Sequence, residues 1–391
     1  SGCYNVSMGF AALRGTTTAS NNTAIGTCAL YNNTAGSNTA VGAVAMQNNT
    51  TGEYSIAMGR YALHDNSTGC RNVALGYAAM LSNTTASKNT AVGACALYSN
   101  STGASNTAVG NDALKTNTTG ASLVGVGYEA LAANTTGIRN TALGVYSQRY
   151  TSTGQFNTSS GYMSLCSNST GCYNTAFGDL SLRNNTTANS NTAVGACSLT
   201  ANTTGADNTA VGFKALTANT TACYNTAVGN YSLQANTTGA NNTATGFYAL
   251  LSNTTGDLNT ASGGYALCAN TTGCRSTAVG FQALLKATTG GFNTAVGTYA
   301  ANQMTVGKCN VVLGGEALFY NTSGCHNTAV GFRSLQSNTI GCSNTAVGMC
   351  SLFANTTGAQ NTASGYRAMA ANTCGYDNTA MGWSAMCANT T

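Results

Sequence analysis

Sixteen cysteines, two histidines and nine carboxylates are the groups that could do chemistry in this chain of 391 residues. Four cysteine pairs recur at one offset of 25 residues: Cys3 with Cys28, Cys70 with Cys95, Cys172 with Cys197, and Cys325 with Cys350. A constant offset is what a repeated disulfide produces, within a chain or between staggered neighbours, and these eight residues form the candidate disulfide set. The competing reading is that cysteine acts as a small apolar filler. Cysteine-rich, weakly charged chains point to an oxidising setting, so the expected location is extracellular or the cell surface. No C-x-x-C or paired Cys/His spacing occurs, and neither a metal site nor a cofactor is assigned. His64 and His326 fall in unrelated phases of the sequence, and the carboxylates have no recurring spacing. An acid–base pair or a nucleophile triad needs a few groups converging in a pocket, so no catalytic residue is assigned and an enzyme is not expected.

A second candidate chemistry is N-glycosylation. Sixteen Asn-x-Ser/Thr sequons occupy one column of the sequence: Asn49, Asn66, Asn83, Asn100, Asn117, Asn134, Asn168, Asn185, Asn202, Asn219, Asn236, Asn253, Asn270, Asn321, Asn355 and Asn389. A secreted chain could carry glycans there. Against that stands crowding at ~4.8 Å between stacked strands, and the fact that N-T-T is already favoured in a turn.

The elements that must position these groups follow from a repeat. The glycine of N-T-A-V-G recurs 23 times, from Gly9 and Gly26 to Gly365 and Gly382, in steps of 17 residues with a single step of 16 between Gly26 and Gly42. Taking that glycine as position 0, position −3 is Thr, Val or Ile in every copy, and position −1 is mostly Val, Leu, Ile or Met. Branched side chains at alternate positions are strand chemistry. Ala fills the intervening position, which makes the opposite face small. Position +4 is Leu or Met in 21 copies, with Gln148 and Ala301 the exceptions. The Ala-Leu pair at +3 and +4 reads as a second strand with an apolar group on each side. Asn at +7 and Gly or Ala at +10 read as a turn, and stacked Asn columns as amide ladders. The fold class is therefore all-β: a parallel β-solenoid, or β-roll, of about 23 stacked 17-residue coils, forming a single repeat domain over 1–391. With 47 glycines and no proline, nothing in the chain interrupts such a ladder.

The stretches NVALG (Asn72 to Gly76), SIAMG (Ser55 to Gly59) and NTAIG (Asn22 to Gly26) resemble the S-V-A-I-G head repeat of trimeric autotransporter adhesins, the YadA-like family, and are similar to phage tail-fibre shaft repeats. The resemblance implies a left-handed β-roll with three chains packed side by side outside the cell. The chain differs in its uniform 17-residue coil, its preference for Thr over Val, and its cysteines.

Only 6% of residues are charged, and the net charge of +5 is spread without a basic cluster, so no nucleic-acid partner is expected. No apolar run reaches the ~20 residues of a membrane helix and no signal peptide is visible, so no membrane insertion is expected. The missing initiator methionine suggests a trimmed product, and consensus coils at both ends suggest end-to-end self-association or an excerpt of a longer array. Self-association, end to end or lateral, is the expected partnership, with glycans or a surface ligand as further partners. The expected function is an extracellular structural fibre or adhesin shaft. The alternative is an ice-binding or other lattice- or carbohydrate-binding solenoid, the last suggested by an aromatic stripe at +1 (Phe10, Tyr77, Tyr128, Phe213, Phe247, Phe281, Trp383).

Overall fold

A computed structural model describes residues 2–391. All 23 regular elements are three-residue parallel strands at positions −3 to −1, from Val6–Met8 to Thr379–Met381, and no helix occurs among the described residues. Two compact units, Ser1–Ala193 and Val194–Thr391, are built from the same coil. In the first, strands from Val6–Met8 to Thr175–Phe177 pair each with the next, in register, as Thr90↔Thr107 and Ala91↔Ala108 show. In the second, strands from Thr209–Val211 to Thr379–Met381 do the same, as in Thr226↔Thr243. Each unit is a β-solenoid whose pitch is one repeat.

Backbone hydrogen bonds explain the regularity. Along a coil, the backbone N–H groups are shared between the coil before and the coil after. Around Gly93, the Thr90 N–H donates forward to Asn106 O (2.8 Å), Gly93 donates back to Leu75 O (2.8 Å), Cys95 back to Tyr77 O (2.9 Å), and Leu97 forward to Ala113 O (3.0 Å). A parallel stack with this exchange leaves few main-chain groups unpaired.

The second strand expected over +1 to +5 is absent. That segment is a run of turns, because positions +2 and +4 adopt left-handed backbone angles: Cys95 has φ 55° and Leu97 φ 52°, and every other coil repeats the pattern. Alternating handedness cancels the two-residue alternation of a strand. Ala96 and Leu97 consequently both face inward and are fully buried, where strand geometry would have sent them to opposite sides. The cost is about 1 kcal/mol or more for each non-glycine left-handed residue, and burial of each Leu side chain returns about 1.5–3 kcal/mol.

The interior is narrow. Leu from the turn wall meets Ala from the strand wall: at Gly125, which replaces that Ala, an added Cβ would sit 3.4 Å from Leu114 Cγ. The small strand face is therefore the inner one, with Ala91 and Ala108 fully buried, and Thr and Val of the same strands face outward.

Two asparagine columns complete the core. At −4, Asn89 donates from Nδ2 to Gly103 O (3.0 Å), and its Oδ1 accepts from the Asn106 N–H (2.8 Å). At +7, Asn100 donates from Nδ2 to Asn83 Oδ1 (3.1 Å) and Gly103 O (2.9 Å), while its Oδ1 accepts from Asn117 Nδ2 (2.8 Å). The ladder breaks where the sequence breaks it. Thr151 and Ala287 stand in the +7 column, and the rungs before them, Asn134 and Asn270, each keep a buried Oδ1 with no hydrogen-bond partner. Thr151→Asn is expected to raise stability by about 1 kcal/mol, since it supplies the missing donor to Asn134 and removes the unpaired Thr151 hydroxyl. Thermal unfolding of the variant beside wild type checks this, and a lowered midpoint would refute it.

Candidate functional site

The sequon column is inside the protein. Fifteen of its asparagines (Asn49, Asn66, Asn83, Asn100, Asn117, Asn134, Asn168, Asn185, Asn202, Asn219, Asn236, Asn253, Asn270, Asn321 and Asn355) are fully buried as rungs of the +7 ladder. Each glycan would have to attach to the Nδ2 that donates inside that ladder, as Asn66 does to Asn49 and to Gly69 O. The expected glycan coat is therefore incompatible with these fifteen side chains in the folded chain. Asn389 alone of the sixteen is partly exposed. Folded protein secreted from a glycosylating host is expected to carry no glycan at the fifteen buried sites. Intact mass before and after glycosidase treatment, with peptide mapping, tests this.

The cysteine columns have another explanation than the one expected. None of the 16 cysteines is in a disulfide among the described residues. No disulfide joins any members of the candidate disulfide set, Cys3, Cys28, Cys70, Cys95, Cys172, Cys197, Cys325 and Cys350. The 25-residue offset joins position −6 to position +2 of the next coil, and a strand with both its flanking bends lies between these columns. The members of a pair thus lie beyond opposite ends of paired strands, as Cys70, ahead of Val73–Leu75, and Cys95, after Thr90–Val92, do, and no disulfide joins them. At −6 the thiol accepts a hydrogen bond from the backbone N–H one coil earlier: Glu53 N to Cys70 Sγ (3.5 Å), Gln155 N to Cys172 Sγ (3.3 Å), Lys308 N to Cys325 Sγ (3.4 Å). It also donates to the carbonyl two residues back, as Cys325 does to Ser323 O (3.2 Å). Ser20, Ser87 and Asp257 accept in the same way in other coils. Where position −6 carries Cys, Ser, Asn or Asp, the side chain can thus serve as this acceptor, while other coils carry residues such as Ala, Gly, Ile or Lys there. That shared capacity is visible in the sequence once the column is aligned, and the disulfide reading overlooked it. At +2, Cys28, Cys95, Cys197 and Cys350 are partly exposed and stand among residues of every chemical kind, so no partner sulfur is built into that column either.

Three thiols sit in environments that keep them protonated. Burial pushes the Cys166 and Cys268 thiols up, against a weaker opposing pull at Cys166 from Arg149 and Arg183. Cys95 is raised by burial and then by the Asp112 carboxylate. A protonated thiol is a poor nucleophile.

Outside, each strand presents position −3 and position −1. The −1 column is mostly apolar and open to solvent, with Ile25, Met58, Leu143, Val228, Val279, Val296 and Val347 all exposed, and Ser160, Thr245, Ser262 and Ser364 its polar members. Four members of the aromatic stripe at +1 pack on tyrosines at +2 of the following coil, while Tyr77 meets Tyr61 of the preceding coil and Trp383 stacks on Tyr366. Tyr128 meets Tyr146 at 5.4 Å, Phe213 meets Tyr231 at 5.4 Å, Phe247 meets Tyr265 at 5.5 Å and Phe281 meets Tyr299 at 5.7 Å, all edge-on. Edge-to-face packing of this kind stabilises by about 0.5–1.5 kcal/mol per pair. His64 is paired with its neighbour Asp65 (2.7 Å) and with Gln47 (3.1 Å), and no group of three His, Cys, Asp or Glu among the described residues is arranged to hold a metal ion. Among the described residues no helix is long and apolar enough to cross a membrane.

The interior carries one polar coil. Gln148, in place of the usual Leu, donates to Ser159 Oγ (2.9 Å) and Thr141 O (2.8 Å), and Ser147 bonds both Ser159 and Ser164. Gln148 Oε1 remains buried and unpartnered. With the geometry of the coil laid out, sequence relationships add no label to it: the chain matches no protein-family model and no curated protein.

Proposed function

We propose that the chain is a structural protein of an extracellular fibre or adhesin shaft, working through stiff stacked coils and lateral self-association. The observation that carries this reading is the outward column at −1, mostly Val, Leu, Ile and Met in register on the strand face, as in Val279↔Val296, and interrupted only by Phe177, Ser160, Thr245, Ser262 and Ser364 among the described residues. Apolar rows of such regularity are seldom left in water, and a second copy of the same chain offers a surface of matching period. Position −3 supports it, since Val and Ile replace Thr there at Val6, Ile56, Val73, Val124 and Val311, as suits a covered column.

The test is sedimentation of the purified chain with and without Val279→Lys and Val296→Lys. Both positions are solvent-facing, so the coil can accept lysine. Wild type is expected to form particles of several chains that the double variant dissociates. A wild-type monomer at tens of micromolar would overturn the reading. The in-register column of half-exposed strand threonines, such as Thr90 and Thr107, favours the alternative of a lattice binder. Inhibition of ice recrystallisation by the dissociated variant, absent from a version with those threonines replaced by lysine, would select that alternative.

A further inference from the structure

Column +2 contains four cysteines, and their neighbours along the column differ in charge. Cys28 lies between Ala11 and Val44, Cys95 between Ala78 and Asp112, and Cys197 is followed along the column by Lys214. Cys350 lies between Arg333 and Arg367. The last three residues are successive rungs of one ladder, with Arg333 N donating to Gly315 O, Cys350 N to Phe332 O and Arg367 N to Met349 O, each at 3.0 Å. Stacked rungs lie ~4.8 Å apart, which brings a guanidinium within reach on either side of the thiol. All three side chains line one cleft of about 340 Å³ together with Phe353, Tyr366 and Cys387. The backbone at Cys28, Cys95 and Cys350 is the same, with φ of 57°, 55° and 56°, and all three are partly exposed. The molecule thus carries its own controls: one thiol position, repeated in different electrostatic settings.

We infer that Cys350 is a thiol-modification site for small disulfides bearing carboxylates, which Arg333 and Arg367 draw into the cleft. Arg333 shares its charge with Glu316, whose Oε2 accepts from Arg333 Nε (2.8 Å) and from Gln336 Nε2 (2.8 Å). No ion pair to Arg367 occurs among the described residues, so two guanidiniums face one carboxylate and the cleft keeps a net positive charge. Phe353 and Tyr366 give it apolar walls. The volume lies within the range of small-molecule sites.

The reaction is thiol–disulfide exchange. The sulfur of Cys350, after its proton passes to solvent, bonds to one sulfur of the incoming disulfide. The S–S bond of the reagent breaks, and its other half leaves as a thiolate that takes up a proton. One mixed disulfide and one free thiol are formed, and the reagent itself is the oxidant.

The contrast with Cys95 supports the assignment. There burial first and then the neighbouring Asp112 carboxylate raise the thiol, and the carboxylate would repel an anionic reagent, although Lys115 partly offsets it through a 3.1 Å contact with Asp112.

The experiment compares an anionic disulfide, dithiobis(nitrobenzoate), with the uncharged dithiodipyridine on the full chain, the modified cysteines being mapped by mass spectrometry at short times. The anionic-to-neutral rate ratio at Cys350 is expected to exceed that at Cys28 by about tenfold at low ionic strength. At 1 M salt, where screening acts within about 3 Å, the advantage should vanish. Arg367→Gln should abolish most of it and Arg367→Lys retain it. Glutamine already occupies this column at Gln282 with φ 56°, so the first variant has a precedent in the same fold. Equal ratios at Cys28 and Cys350, or a ratio indifferent to Arg367→Gln, would overturn the assignment.

Discussion

Gly93→Ala is expected to destabilise its coil by about 3 kcal/mol or more, the sum of backbone strain and overlap. Gly93 has φ 139°, a region that side chains with a Cβ rarely enter. An added Cβ would lie within van der Waals overlap of the Gly110 carbonyl carbon (2.6 Å) and 3.1 Å from Asn111 N. These are backbone atoms, and Gly110 is itself tied by its N–H to Val92 O at 2.8 Å, so relief means breaking the ladder. Gly382 separates the two terms. It has φ 121° with nothing within 4 Å of its Cβ position, so Gly382→Ala should show the strain of about 1–3 kcal/mol without the overlap. Because coils contact only their neighbours, the damage from Gly93→Ala should be local. Hydrogen exchange is the suitable readout: protection should fall around coils 76–110 and persist elsewhere. Equal losses for the two variants would show that the close approach of Gly110 does not matter.

The same glycine shows what can be read from sequence and what cannot. Its 17-residue recurrence reveals the coil, the β-branched residues at −3 reveal the strand, and the Asn columns announce their ladders. The Ala-Leu segment is different. Nothing about leucine advertises a left-handed backbone, and Leu97 adopts one because its N–H reaches Ala113 O and its side chain fills the space beside the strand-wall alanines. That preference belongs to the stacked state and is invisible in one repeat. Alternation was therefore the wrong periodicity for this segment, and the choice of inner face could not be made from pattern alone. The sequons mislead for a related reason: N-T-T satisfies a surface rule and an interior ladder equally well, and only the direction of Asn100 decides between them. The constant offset of Cys70 from Cys95 joins two columns that each carry cysteine, and a spacing says nothing of the strand lying between them. The charge contrast around Cys350 was present in the sequence as Arg333 and Arg367, each 17 residues away, but it acquires meaning only when +2 is known to be an outward ladder.

Asn100→Leu is expected to cost about 3 kcal/mol, and the reasoning depends on which groups are left unpaired. Asn83 Oδ1 loses the donor it accepts from, and Asn117 Nδ2 loses the acceptor at Asn100 Oδ1 while keeping Gly120 O (3.0 Å). Gly103 O loses one of two donors and keeps Asn89 Nδ2. Asn83 Oδ1 and one of the two N–H groups of Asn117 Nδ2 are thus stranded at about 1–3 kcal/mol each, and the apolar side chain returns part of that by burial. The natural breaks set an upper bound. Where Ala287 interrupts the ladder, Asn270 Oδ1 is stranded and the strands on either side still pair in register, so the loss is energetic and does not destroy the coil. The combination Asn100→Leu with Asn83→Leu should therefore cost less than twice the single change, because removing both partners of a buried hydrogen bond leaves fewer orphans. Urea denaturation of the two single variants and the double variant provides the comparison. Strict additivity would mean that the amide-to-amide bond between coils contributes nothing, and that the column is held by its carbonyl acceptors Ala86 O and Gly103 O alone.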